Sequence, residues 1–494
     1  MKKRKLLIRI VTLLLAMCMT AIAFVGCKRK KGEVTEESNT TTSTGSEGYE
    51  LPQADLNGFV FNILCRETDL FQKEVWSVDT VGEQISTAIF NRNSLIEERL
   101  NCLIGMNPVS ESPESTLTNT FNRSVMAGDT DTHLALGHMH HAGQESLQGT
   151  MYNWYDIPNI DFENPWWHHS LIDAMTYNRK MYVAASDFCI SSVDFTWTMI
   201  FNTEMAANNQ VDVYSMVKDG TWTLENFNRV VKESYVSNGS GDVDIENDTF
   251  GFVTHYDSAV VNWMFSLEIP VSRFTTDGKY ELLLNSDRMI NATERIYNLL
   301  FNGNGTLYVN PETLTALGGG SHDRIVTSKF GAGQALFAAV RIFALDNLRN
   351  NDIDYGIVPY PKYDEEQQNY YSHVDGRASL MFVPMNLPTE TLENVGTLIE
   401  ALSYVTYRDV MPEIESVCLL GRYSRDSVAY QMLQQTLAGR SYAFSFVYNT
   451  ASDGRPYWIM SKLMRGHSSN FSSTWRSVEG VLKRDFDGIL EKLK

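Results

Sequence analysis

Phe59-Val60-Phe61-Asn62-Ile63-Leu64 is apolar at nearly every position, the pattern of a strand covered on both faces, as in a parallel sheet. Parallel strands need a crossover between them. Gly82 to Leu100 supplies a helical one: Ile85, Ala88, Ile89, Ile96 and Leu100 recur at near-helical spacing, with Glu97, Glu98 and Arg99 on the wet side. Cys102 to Met106 is the next short apolar run, so strand, helix and strand form a right-handed βαβ unit. A helix from Ser115 to Met126 and a strand at His133 to Leu136 extend the pattern into an open, doubly wound α/β sheet.

The alternation continues. Lys180 to Ala185 and Met199 to Phe201 read as strands, and Trp222-Thr223-Leu224-Glu225 begins a helix capped by Thr221 or Thr223. Gly356 to Pro359 and Leu380 to Val383 are later strands; Glu390 to Val405 and Val478 to Leu493 are amphipathic helices. No internal repeat appears, which argues against solenoids and propellers. At 494 residues the chain exceeds what one core organises, so more than one packed unit is expected. A net charge of −19 is the wrong sign for displacing counterions from phosphates, so nucleic acid is not an expected partner.

The N-terminus carries an address. Met1-Lys2-Lys3-Arg4-Lys5 is a basic tip, and the apolar run Ile10 to Phe24 is shorter than the roughly 20 residues a permanent span needs. Ala23-Phe24-Val25-Gly26-Cys27 resembles the bacterial lipobox, with Phe24 departing from the usual leucine. That resemblance implies cleavage before Cys27, a lipid-modified Cys27, and attachment to the extracytoplasmic face of the cell membrane. Residues 1–26 are then a signal peptide. Residues 27–53 form a flexible tether, since Gly32 to Gly48 is mostly Glu, Ser, Thr and Gly and cannot bury enough to order itself. Lys2, Lys3, Arg4, Lys5 and Arg9 leave with the signal, making the exposed protein more acidic still.

Cys65, Cys102, Cys189 and Cys418 are scattered without metal-ligand or CxxC spacing, so buried free thiols are expected. Cys65 closes one strand while Cys102 opens the next parallel one, which puts them about 17 Å apart.

Several segments together resemble one family. They are Asn91-Arg92-Asn93 with Ile96-Glu97-Glu98-Arg99-Leu100-Asn101, Asn164-Pro165-Trp166-Trp167, Asn178-Arg179-Lys180-Met181-Tyr182 and Phe201-Asn202-Thr203-Glu204. Asp219-Gly220-Thr221-Trp222-Thr223 and Tyr355-Gly356-Ile357-Val358-Pro359-Tyr360-Pro361-Lys362 complete the set. Over most of the mature chain the order of these pieces resembles the extracellular solute-binding lipoproteins of ABC transporters, family 1, whose best-known members bind maltose and other oligosaccharides. The resemblance implies a two-lobed, periplasmic-binding-protein-like α/β fold (type II), three crossovers between lobes and a ligand cleft at the hinge. By it, the crossings fall near Ser186 to Asp194, Val374 to Ala378 and Leu419 to Asp426. Lobe 1 then holds residues 54–190 and 376–422, and lobe 2 holds 191–375 and 423–494. Surplus length lies around Tyr235 to Asp248 and Asn302 to Asp323.

A sugar presents an apolar ring face and a rim of hydroxyls, so its cleft needs flat aromatics and planar polar groups. Trp76 beyond the first strand, Trp197 past the first crossing and Trp458 in the last third are the aromatic candidates; Trp166 and Trp167 read as packing anchors. Glu67, Asp187, Asp194, Arg341 and Asp375 stand at crossings or strand ends, where open α/β sheets bind ligands. A solvated charge or an inter-lobe salt bridge is the alternative for each. Gly376 suits a hinge. His138-Met139-His140-His141 follows a strand, and His138 reads as a cleft residue rather than a metal ligand because no carboxylate or cysteine cluster accompanies it. Gly318-Gly319-Gly320-Ser321-His322-Asp323 places Ser, His and Asp side by side, but a triad converges from separate elements and no G-x-S-x-G elbow occurs. That segment reads as a flexible surface loop.

The expected function is therefore non-enzymatic: a monomeric lipoprotein that captures a carbohydrate, needs no cofactor, and hands its ligand to the transmembrane subunits of an ABC permease. A surface glycoside hydrolase is the rival from another class, requiring two carboxylates about 5 to 10 Å apart. A binding protein reporting to a membrane sensor is the third reading. With no Arg or Lys cluster evident in the sequence, the net charge favours a neutral oligosaccharide.

Overall fold

The computed structural model describes residues 49–494 except 81, 276–277, 421–426 and 450–454. The expected signal peptide, Cys27, nearly all of the tether and most of the expected third crossing lie outside the described residues.

Strand β1 (Phe59–Arg66) is followed by helix α1 (Gln84–Leu100), which buries Ile89, Ile96 and Leu100 and stops at Asn101 in the left-handed region, φ 48°. Strand β2 (Cys102–Val109) then pairs in parallel with β1 along its whole length, Phe59 opposite Cys102 and Arg66 opposite Val109. Helix α2 (Thr116–Met126) and strand β3 (Leu134–His138) complete the doubly wound pattern. The thiols of Cys65, Cys102 and Cys189 are free and buried, and Cys65 stands opposite Pro108 while Cys102 opens β2. The expected two-sided burial of β1 fails at its start: Val60 and Leu103, cross-strand neighbours, are 43% and 55% exposed. Lys180 to Ala185 does not form the expected strand either. Its backbone makes only isolated bridges, Ala184 with Met381 and Lys180 with Tyr177, and no continuous ladder.

The chain then enters a second sheet at β4 (Trp197–Asn202). Helix α3 (Leu224–Glu233) starts where the Thr223 side chain accepts from the Asn226 N–H, with Trp222 buried just before the cap. Strands β5 (Phe250–His255) and β6 (Thr306–Val309), helix α4 (His322–Gly331), β7 (Ala335–Arg341) and β8 (Tyr355–Val358) follow. The second sheet runs β8-β4-β7-β5-β6. Its strands are buried at nearly every position because alternate residues face different cores: Met199, Phe252 and Phe337 pack on one side, Ile200, Val253 and Ala338 on the other.

Strand β9 (Ser379–Phe382) returns the chain to the first sheet, antiparallel beside β3, giving the order β9-β3-β1-β2. Helices α5 (Thr389–Val405), α6 (Met411–Leu420) and α7 (Ser427–Ala438) lead back, α7 packing on β8; α8 (Arg455–Arg465) and α9 (Phe471–Leu493) finish the chain. Each sheet with its helices is one lobe, and the chain passes between them three times. Trp166 and Trp167 are buried packing anchors whose indoles donate to Glu400 of α5, Oε1 at 3.0 Å and Oε2 at 3.1 Å, with Asn164 Nδ2 at 2.7 Å.

The passages are cross-tied. Buried Glu74, on the short helix Asp69–Val75, accepts from the Ser191 N–H at 3.0 Å and from the Ser379 hydroxyl. The Ser379 N–H donates to Ser191 Oγ (2.9 Å) and the Asp375 N–H to the Phe195 carbonyl (2.9 Å). Ser372–His373 pairs in parallel with Arg440–Ser441, and Arg440 donates to Ser192 Oγ at 2.7 Å.

Candidate functional site

The second sheet ends on polar residues. Its strand β5 closes on His255 and β7 on Arg341, and the antiparallel register places Trp197, the first residue of β4, opposite Arg341. The returning segment before β9 brings Asp375 to within 3.4 Å of the Arg341 guanidinium, whose other edge donates to Asp323 Oδ2. The same guanidinium lies 5.4 Å from the Trp197 ring centroid and 5.0 Å from that of Phe343. Trp197 neighbours His255 at 5.4 Å, His255 stacks on His322 at 5.2 Å, and Tyr256 meets His322 edge-on at 4.9 Å. A row of rings thus runs along the strand ends. Phe195, in the first passage, links it to the other lobe, lying 5.3 Å from Phe343 and 5.8 Å from Phe71.

Buried polar atoms are normally hydrogen-bonded. Here Trp197 Nε1, His255 Nε2, His322 Nε2 and Arg341 Nε have no hydrogen-bond partner among the described residues. The His255 Nδ1 accepts from the Asp257 N–H at 3.3 Å, which assigns the ring proton to Nε2 and makes that nitrogen a donor. Burial pushes His255 down to about 3, so it is neutral at physiological pH. Burial alone would raise Asp375, but Arg341 and the Arg377 N–H hold its carboxyl well below the usual range. Two carboxylates face the one Arg341 cation, so the charged part of the cluster is net negative. What remains is a set of donors without partners among the described residues, flanked by aromatic faces and suited to the lone pairs and ring faces of a polyhydroxylated ligand.

Of the candidates read from sequence, Trp197, Arg341 and Asp375 are brought together here. His138, on β3 opposite Ser379, lies at the corresponding end of the first sheet, its Nε2 3.6 Å from Glu114, which His141 approaches at 3.8 Å. Trp458, on α8, lines an open groove of about 620 Å³ with Asn310, Glu312, Lys462 and Arg465, joined to the row of rings where Arg465 lies 4.8 Å over Tyr256. Asp187 is tied instead to His168 (3.3 Å) and Arg440 (3.6 Å), bracing the passages. Asp194 ends the turn Ser191–Asp194, where burial and then Glu74 push its carboxyl up to about 7. Glu67 is exposed after β1, its N–H bonded to Val109, and Trp76 is 44% exposed past the helix Asp69–Val75; neither joins the ring row.

His255, His322 and Asp323 were not legible as site residues. The expectation of a flexible surface loop at Gly318 to Asp323 is corrected at its end: Gly318 to Ser321 is a turn at the surface, but His322 and Asp323 belong to α4. Gly318, Gly319 and Gly320 take left-handed φ of 89°, 68° and 98°, Ser321 caps α4 by accepting from the Arg324 N–H, and the first turn of α4 carries His322 and Asp323 into the cluster. The only sequence signal was the run of glycines before a capping serine.

No protein-family model and no curated protein matches the sequence. Among solved structures the fold is similar to the maltose-binding periplasmic protein MalE of Listeria monocytogenes in complex with maltose (TM-score 0.55, 10% identity, covering 88% of this chain and 98% of that one). It is also similar to UgpB of Mycobacterium tuberculosis in complex with glycerophosphocholine (TM-score 0.54, 13% identity, 87% of this chain and 99% of that one). A cyclo/maltodextrin-binding protein complexed with maltotetraose gives a TM-score of 0.53 at 11% identity, covering 88% and 97%. At these identities the likeness is one of fold: the two-lobed, periplasmic-binding-protein-like α/β architecture of ABC solute-binding proteins, with the cleft at the hinge.

Proposed function

We propose that the chain is an extracytoplasmic solute-binding lipoprotein that captures a carbohydrate, an oligosaccharide, between lobes 54–190 with 376–422 and 191–375 with 423–494. It delivers that ligand as a monomer to the transmembrane subunits of an ABC permease. The observation that carries this reading is the convergence of Trp197, His255, Arg341 and Asp375 on the strand ends beside the passages, with three donors lacking partners among the described residues. The N-terminal apolar run ending at Cys27 supports a lipid anchor on the outer face of the membrane. Closure around the ligand stabilises the form that the permease recognises, so no catalytic step is required. Asp375, held ionised, is a poor proton donor, which weighs against a glycoside hydrolase.

Calorimetry on the full chain in detergent, against a panel of neutral and acidic oligosaccharides, tests this. Trp197→Phe keeps an aromatic face but removes the Nε1–H together with the fused five-membered ring, and is expected to weaken the ligand that binds by about 3- to 10-fold. Mass spectrometry should return the ligand intact. Cys27→Ser should release the protein from membranes. If no saccharide binds, or if bound ligand is turned over, the reading fails.

A further inference from the structure

The groove beside Trp458 carries a feature that net charge concealed. Trp458, Lys462 and Arg465 are spaced i, i+4 and i+7 on α8, so they share one face of the helix, and all three are exposed. That face lines the groove of about 620 Å³ opposite Asn310, Pro311 and Glu312. In a chain of net charge −19, two cations side by side on a concave surface are conspicuous. Neither Lys462 nor Arg465 forms an ion pair with a carboxylate among the described residues. Arg465 instead lies 4.8 Å over the Tyr256 ring, and Ser461, one residue before Lys462, donates to the Tyr256 carbonyl. Tyr256 is in turn the ring next to His322 in the row that leads to Trp197.

We propose that this groove is a second subsite that takes an oxyanion substituent, a carboxylate or sulfate, on an outer sugar unit of the ligand held at Trp197 and Arg341, so that the ligand is an acidic oligosaccharide. The inference rests on the carbohydrate reading above and adds to it. At the inner end Asp323 and Asp375 together outweigh the single cation of Arg341, so a neutral, hydroxylated unit suits it better than an anionic one. At the outer end Lys462 and Arg465 share the groove with Glu312, and Asp257 lies within electrostatic reach of Arg465, so Lys462 is the cation with no carboxylate besides Glu312 in the lining. An exposed indole offers its face to a pyranose ring while Lys462 and Arg465, one and two turns along the same helix face, reach an anionic group at the ring's edge. The overall negative field does not forbid this, because beyond about 8 Å it is screened at physiological salt, whereas a contact pair is not. The expectation of a neutral ligand came from net charge, which says nothing about where individual cations are gathered.

The test compares two disaccharides that differ only in their terminal unit, glucuronic acid or glucose, with a 6-sulfated glucose terminus as a third probe. Each is titrated into the full chain, into Lys462→Gln/Arg465→Gln and into the charge swap Lys462→Glu, with thermal melts confirming that the variants fold. Both substitutions are on exposed positions. In the parent at least one acidic probe is expected to bind about 5-fold or more tighter than the neutral one, and the comparison of carboxylate with sulfate identifies the group. The ratio should fall towards one in the double variant and below one in the charge swap. A ratio near one in the parent, or a ratio that survives both variants, overturns the subsite while leaving the carbohydrate reading in place. Absence of binding by all three probes and by the wider panel removes both.

Discussion

Arg341→Met is expected to destabilise the protein by about 3 to 5 kcal/mol at pH 7 and to abolish binding of the cognate ligand. The substitution keeps bulk among Phe195, Trp197 and Phe343 but strands Asp323 and Asp375, both buried carboxylates that converge on the one guanidinium. The pH dependence separates charge from packing. Asp375 is held below its ordinary value of 3.8, so its contribution is fully present above that pH and is lost as pH falls through the native value. In the variant the same carboxyl, buried without its cation, titrates higher, and acid relieves it. The stability gap between parent and variant, measured by urea unfolding, should therefore narrow from pH 7 to pH 3. A variant as stable as the parent at neutral pH, or a gap that stays constant on acidification, would sink the account.

Glu400→Ala should cost a similar amount, about 3 to 5 kcal/mol, without bearing on ligand affinity directly. Three buried donors, from Asn164, Trp166 and Trp167, lose their acceptor at once, and each orphaned group costs roughly 1 to 3 kcal/mol. Glu400→Gln, which keeps one acceptor and presents an amide to the other indole, should lose about half as much. Burial pushes the Glu400 carboxyl up to about 7, its hydrogen bonds opposing that. A carboxyl raised on folding stabilises fully below its unfolded value of 4.5 and loses that contribution as pH rises towards about 7, so Glu400's share of the stability should decline over that window. The glutamine variant removes this slope. Equal slopes in parent and glutamine variant, or an alanine variant within 1 kcal/mol of the parent, would show that the indoles are satisfied elsewhere.

That cluster also shows what could be read in advance. Asn164-Pro165-Trp166-Trp167 was recognisable as an anchor from local composition, but Glu400, which explains why all three side chains are needed, lies on a helix far along the chain with nothing in its neighbours to mark it. The first βαβ unit was legible because its periodicities are local: the helical spacing ending at Leu100 and the apolar run at Phe59 need no partner to be recognised. Val60 and Leu103 escaped because coverage of a sheet face is decided by which helix lies on it, and strand composition does not record that. At the site, Arg341 and Asp375 were nameable as strand-end charges. His255 and His322 were not, since only the β4-β7-β5 register and the capped turn at Ser321 place them beside Trp197. Arg465 escaped for the same reason: its separation from Tyr256 in sequence hides their contact in space.

The cross-ties between the passages have a consequence for how motion in this protein is observed. The amides of Ser191, Ser379 and Asp375 donate to Ser, Glu or backbone acceptors that themselves belong to the passages or to the short helix beside them, so bending the lobes leaves these bonds intact. In heavy water, then, the slowest hydrons to wash out should lie at the pivot, where their loss clocks global unfolding, while amides at the rim of the cleft exchange with each opening and respond to ligand. An isotope-exchange map would read the pivot as the most solid place in a molecule proposed to close around its ligand.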